Sequence, residues 1–462
     1  MVILLRLMLK LLSSLEGFSK YLLAAVLLVV PLYPKFPLMR VPGAFVSIRL
    51  EDFLLSVVFM LTILVVLKNK RLFFRNSIFY SIILYLLVGF VSLFSSVFVT
   101  KTVVFHIGFL HWARRVEYFT PLIIAYYLLK RRPELLDFFL KLFLLVVFCT
   151  FLYGLGQRYL SWPIIITQNE EYSKGVALRW IPGGHINSTF AGHYDLATFL
   201  VLVLPIIISL VAEVRNISQK YYFMLIYLMG LWLLVSSASR ISFLSYLFSF
   251  LFSLILLKKY KLIPLVLLIS LTFTAFSPNL VERYKRFYDV TFRKIKSLKL
   301  IYNFRFPAVY ANENIFLPRR QIETIPTPTP VFEDRSSNIR INVEWPRALR
   351  AFAKNPLLGT GYSSITLATD NDFLRALGET GILGFAAFIM IFFRIVIKLI
   401  GVFPLTKIEN VINKAFLVGL IGALPGLTIN ALFIDLFEAS KFAITFWLVV
   451  GMALGIIDNE KR

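Results

Sequence analysis

The sequence predicts an all-α, polytopic integral membrane protein with about 12 transmembrane helices, a membrane glycosyltransferase-type fold and one large external loop. Three observations lead to the membrane class. Of the 462 residues, 58% are apolar and only 16% are charged, with a mean hydropathy of +0.78, whereas soluble domains carry ~25% charge. Apolar runs long enough to cross a hydrocarbon core of ~30 Å recur along the chain. Between them, short clusters of basic residues recur on what becomes one side of the membrane.

Taken in order, the candidate spans lie near 20–38, 50–67, 77–98, 103–129, 137–155, 193–211, 221–236, 241–257, 262–277, 373–396, 415–433 and 442–457. Lys68, Lys70, Arg71 and Arg75 follow the second, and Lys130, Arg131 and Arg132 follow the fourth. Lys258, Lys259 and Lys261 follow the eighth, and Arg394, Lys398, Lys407 and Lys414 surround the connection from the tenth to the eleventh. All of these share one side if both termini are cytoplasmic, which is the orientation that the positive-inside bias prefers. Met1 to Lys20 reads as a retained, basic, apolar lead-in with no small-residue cleavage site. No internal repeat is evident. The single Cys149 excludes an intrachain disulfide. The net charge of +24 is split across the membrane, which argues against a nucleic-acid partner.

Three regions follow: 1–276 with nine spans and short loops, 277–372 as the large basic external loop, and 373–462 with three spans and a cytoplasmic end. From Ser277 to Asp370 the chain carries 15 Lys or Arg against eight acids. Loops longer than ~60 residues escape the orientation bias, so this excess is compatible with the topology. Its middle, Thr324 to Pro330, is Pro-rich and extended.

The short outer loops hold Lys35, Arg40, Arg49, Lys101, Arg114, Arg115, Arg158, Lys174, Arg179, Arg240 and Lys441. Most are Arg, whose planar fork of donors matches phosphate oxygens in pairs. Headgroup snorkelling is the plain alternative for any one of them. Arg240 ends Leu-Val-Ser-Ser-Ala-Ser-Arg and is followed at once by another span, so its guanidinium sits at the hydrocarbon boundary. Arg179 opens a turn-rich polar stretch running to Asp195 that contains His185 and His193. Each His is either an interfacial hydrogen-bonding residue or a site residue. Further on, Trp345 to Lys354 reads as an amphipathic helix stopped by Asn355-Pro356, and Asp370 or Asp372 either caps the next helix or serves as a base. Glu51-Asp52 forms an acidic pair that a metal-dependent transferase could use, although Arg49 beside it makes an ion pair the simpler account.

At these places the chain resembles the O-antigen ligase and O-antigen polymerase superfamily. The shared marks are Ser239-Arg240 opening a span, and Thr189-Phe190-x-x-His193 before a span containing Leu204-Pro205. The most specific is Asn355-Pro-Leu-Leu-Gly-x-Gly361 leading to Asn371-x-Phe-Leu-x-x-Leu-x-Glu-x-Gly-x-x-Gly384. The resemblance implies an enzyme that moves a glycan from a polyprenyl-pyrophosphate carrier to a glycan, glycolipid or protein acceptor at the outer face of the cytoplasmic membrane, without cofactor or metal. It implies that Arg179 and Arg240 hold the pyrophosphate, and Arg350 with Gly361 reproduces a spacing of the polymerase loops. The chain departs from the ligases at one point: their His-Asn pair is replaced by Asp370-Asn371. The expected base is therefore Asp370, held ionised by nearby Arg, or else His193. A lipid-linked glycan flippase is the alternative, although transporters place their polar helices at the midplane. Lys441, away from the proposed site, is expected to tolerate removal.

Cysteine labelling tests the topology. Probes placed at Ser173 and Ser336 should react from outside the cell, and those at Asn69 and Asn410 only from the cytoplasm. Cytoplasmic labelling at Ser336 would overturn the assignment.

Overall fold

The computed structural model describes residues 2–34, 37–40, 47–74, 76–164, 179–182, 184–277, 280–282, 284–285, 288, 339–365, 368–405 and 408–460. Lys35, Ser173, Lys174, Ser336 and the Thr324–Pro330 stretch lie outside these.

Each of the twelve candidate segments overlaps a helix, although the one near 20–38 runs past Leu32, where the first helix ends. The helices are α1 (Val2–Leu32), α2 (Leu50–Lys68), a short α3 (Lys70–Phe74), α4 (Ser77–Phe98), α5 (Phe105–Arg131), α6 (Leu135–Tyr159), α7 (His193–Glu213), α8 (Ile217–Ser236), α9 (Arg240–Leu256), α10 (Leu262–Phe273), a short α11 (Trp345–Lys354), α12 (Asp372–Ile400), α13 (Val411–Ala431) and α14 (Ser440–Glu460). Among the described residues seven of these, α2, α4, α6, α7, α12, α13 and α14, are long and apolar enough to cross a membrane. The chain is an all-α, multi-pass membrane protein. Among the described residues one hairpin is present, β1 (Pro37–Arg40) paired antiparallel with β2 (Ser47–Arg49).

The helix starts are written in the sequence. Asn76, Asn216 and Asn410 each accept a hydrogen bond from an amide two residues on, and Ser239 does the same for the amide of Ser242. These side chains satisfy donors that the first helical turn leaves open. Apolar α7 and α14 sit at the centre, buried almost along their whole length, while α2, α4 and α12 turn Leu, Val, Ile and Phe outward. Between α9 and α13 small residues allow close approach. Ser249 and Ser253 of α9 face Gly426 and Gly422 of α13, where a Cβ would lie within 2.0 Å of a serine Oγ.

Successive spans run in alternate directions. One end gathers the close of α1 and the starts of α2, α7, α9, α12 and α14, cross-linked by Arg49 to Ser440 and Lys441 to Pro31. The other end carries Lys130 and Lys398 on Asp458, and Lys259 and Lys414 on Glu213.

Two outer-loop expectations are corrected. Arg114 and Arg115 are not in a loop but within α5, because the helix begins ten residues earlier at Phe105. Arg115 is buried and donates to the Phe437 carbonyl at 2.6 Å and to Glu438. Lys441 is not peripheral either. It is fully buried, over the ring of Phe190, and its ammonium donates to the carbonyls of Pro31, Tyr33 and Thr189 at 3.1, 2.7 and 2.7 Å. An ammonium has three protons, and here three carbonyls from two chain segments, the close of α1 and the stretch before α7, take them.

Lys441→Met should therefore destabilise the protein, since each buried acceptor left unsatisfied costs about 1–3 kcal/mol. Thermal unfolding in detergent should show a clear fall in Tm. An unchanged Tm would contradict the role given to this lysine.

Candidate functional site

Two sequence segments that looked independent build one another. Asn355–Gly361 folds as a tight turn after α11, and α12 breaks at Gly381, which has φ +65° and ψ −170°. The break exposes backbone groups that the turn satisfies: Thr360 N donates to Gly378 O at 3.0 Å, Gly361 N to Glu379 O at 2.8 Å, and Ile382 N to Pro356 O at 2.9 Å. Gly359 and Gly381 both have positive φ, and a Cβ on either would come within 2.4 Å of the other segment's backbone. Ser92 of α4 donates to both Leu358 O and Glu379 O, fixing the pair to the bundle.

Just before α12, Thr369-Asp370-Asn371-Asp372 is held by the hairpin that joins α13 to α14. Asp435 accepts from the amides of Thr369 and Asn371 at 2.8 and 3.0 Å. Asp372 reciprocates, accepting from the amides of Leu436 and Phe437 at 2.8 and 3.1 Å. Asn371 caps α12 through Leu374 N and donates to Leu432 O. Arg375, in the first turn of α12, ties that helix to the same connection, donating to Asp435 at 2.9 Å and lying 3.3 Å from Glu438. Neither aspartate that sequence alone offered as a cap fills that role. Asp372 is structural, and Asp370, gripped on either side, points elsewhere.

Asp370 adopts φ +49°, a left-handed conformation that Asp tolerates better than most residues. Its Oδ2 receives both Nε and Nη2 of Arg340 at 2.8 Å. The guanidinium of Arg340, buried, lies 6.0 Å from the ring centre of Tyr194. Tyr194 packs on His193 at 4.1 Å between ring centres, and His193 stacks on His185 at 4.3 Å. Arg340 thus links the start of α7 to the residue before α12. Burial pushes the Asp370 carboxyl above the usual range, Arg340 pulls it down, and Asp435 pushes it up. Glu344, at the end of the π-helical turn Arg340–Glu344, is raised to about 7 by burial and then by Asp370, with Arg340 opposing.

Arg240 opens α9, and its carbonyl accepts from Tyr284 at 2.7 Å. Ser242 donates to Asn430, which donates to Thr198, so the first turns of α9 and α7 meet the end of α13. Arg179 and Arg350 are exposed, and the ring contacts and ion pair that join His193, Tyr194, Arg340 and Asp370 include neither. On α11 it is Arg347 whose Nη1 is buried. Glu51 and Asp52 are ion-paired, to Arg49 and Arg114 at 3.4 Å each.

Residues 223–389 match the family model described as O-antigen ligase. The match supports an O-antigen ligase-like family. Within the matched segment fall Arg240, Arg340, Asp370 and the two interlocked glycine segments around Gly359 and Gly381, whereas His193 and the clasp residue Asp435 lie outside it. No curated protein matches the chain.

Arg340 carried no mark in the sequence beyond the general basicity of its loop. Asp435 and Glu438 did leave one: two acids in a short connection between apolar runs.

Asp372→Ala should open the clasp and lower the yield of folded, monodisperse protein in detergent, whereas Asp370→Asn should not. Equal loss for both variants, measured by size-exclusion chromatography, would contradict the division of roles.

Proposed function

We propose that this protein is a membrane glycosyltransferase that transfers a glycan from a polyprenyl-pyrophosphate carrier to an acceptor hydroxyl at the outer face of the cytoplasmic membrane, in surface polysaccharide synthesis. The match over residues 223–389 supports O-antigen ligase- or polymerase-type chemistry. The observation that carries the residue assignment is the Arg340–Asp370 pair beside Tyr194 and His193. In this reading the acceptor oxygen attacks the anomeric carbon, the bond from that carbon to the pyrophosphate oxygen breaks, and the acceptor proton passes to Asp370 Oδ1, the oxygen that does not receive Arg340. The pyrophosphate leaves with the electron pair. Arg340 keeps the base ionised and aimed, which positions it for proton transfer. His193, packed on Tyr194, stands as the second candidate base.

The pyrophosphate needs cationic donors in a partly dry setting, where fixed charges act without reorganising. Arg240 is half-buried at a helix start, where the backbone also presents a partial positive charge. We assign it the main pyrophosphate contact. Arg179 and Arg350, exposed, make the weaker ones.

Two outcomes test this reading. Arg240→Lys keeps the charge but loses the paired donors, so its kcat/KM should fall about 10–100-fold, close to that of Arg240→Ala; Arg179→Ala and Arg350→Ala should fall less. A base must be ionised to act, so activity rises with pH through its pKa. Since Arg340 lowers the Asp370 pKa, Arg340→Gln should move the acidic limb of the rate profile to higher pH. A limb that stays put, or moves to lower pH, would exclude Asp370 as the titrating base.

A further inference from the structure

At the opposite end of the bundle, a cleft of about 360 Å³ opens between α4, the end of α5, α12 and α14. Its polar lining includes Asn76, Ser77, Tyr126, Lys130, Arg394, Lys398 and Asp458. Three cations face one carboxylate. Asp458 already receives Lys130 at 3.2 Å and Lys398 at 2.7 Å, and Arg394 donates to the Ser77 carbonyl. Among the described lining residues the cationic groups outnumber the carboxylates by two. Asn76 supplies an independent observation. It is 9% exposed, its Oδ1 caps α4 through Ile78 N, and its Nδ2 is a buried donor with no partner among the described residues. A buried donor left unmade costs about 1–3 kcal/mol, so its retention beside excess positive charge calls for an acceptor from outside the chain.

The surroundings describe that acceptor. On α12, Phe393, Ile397 and Ile400 are each more than half exposed and spaced as one helical face, and Arg394 and Lys398 lie next to that stripe. Tyr80, Leu84 and Leu87 are exposed along α4. A ligand with an anionic group in the cleft would have apolar surface running from it along both helices. The geometry points to a phosphate-binding site that holds the headgroup of an anionic phospholipid, with its acyl chains along α4 and α12. Basic pockets between spans are suited to such headgroups. The site is remote from Asp370 and does not rest on the glycosyl-transfer reading.

The test titrates phosphatidylglycerol, phosphatidylcholine and inorganic phosphate separately into purified, delipidated protein in neutral detergent, with native mass spectrometry and Tm as readouts. Phosphatidylglycerol should bind at least tenfold more tightly than phosphatidylcholine and raise Tm. Binding by phosphatidylglycerol but not inorganic phosphate supports the lipid source; comparable binding by both supports the phosphate site and identifies a soluble anion as its ligand. Asn76→Asp keeps the helix cap and turns the donor into an anion, so it should remain folded and lose the preference. Arg394→Gln, should Asn76→Asp fail to fold, should weaken binding about tenfold. Equal binding of the two lipids, or an unchanged preference in Arg394→Gln, overturns the proposal.

Discussion

The site end of the protein depends on an exchange of carboxylates. Asp435 takes the amides that flank Asp370, and Asp372, two residues on, takes the amides of Leu436 and Phe437. Loop backbone near a membrane has little water to satisfy it, and an ionised carboxylate there is costly unless hydrogen-bonded. Each segment solves the other's problem. Arg375 and Arg115 then balance the charge, reaching Asp435 and Glu438 from two different helices. The left-handed backbone at Asp370 persists because both neighbouring amides are tied down, and its carboxylate therefore has one defined direction.

A second constraint, of shape instead of charge, supports the first. The turn at Asn355–Gly361 and the break in α12 at Gly381 interlock through main-chain bonds with no room for a Cβ at Gly359 or Gly381. This sets where α11 ends, and with it the position of the Arg340–Glu344 turn that precedes α11. Buried Lys441, shared by three carbonyls, holds the close of α1 and the segment before α7 to the start of α14. His193 and Tyr194 are carried into place by that anchoring. The residues that would do chemistry are thus positioned by groups that would not.

Much of this was legible in the sequence. Span length and hydropathy located the twelve helical segments, because lipid imposes that length on any crossing helix. The Asn-Pro-Leu-Leu-Gly-x-Gly and Gly-x-x-Gly pattern marked the lock, though not that its halves bond to each other, since pairing across intervening residues leaves no periodic trace. Asp370 was singled out through its departure from the family pair, but its partner Arg340 was one of fifteen basic residues in that loop. Lys441 misled for a physical reason: a lysine between spans ordinarily snorkels to water, and only the folded backbone shows three carbonyls converging on it. The roles of Arg179 and Arg350 rest on sequence context, and both lie exposed in the fold.

Asp370, aimed by Arg340, is the proposed acceptor of the proton of the attacking hydroxyl. The most direct measurement is donor affinity and turnover, taken separately, in purified, folded Asp370→Asn with a lipid-linked glycan donor. A positioned base contributes ~10²–10⁴-fold to rate. Turnover should fall within that range while donor affinity stays close to that of the unmodified protein. Turnover that stays at the unmodified level would contradict that role.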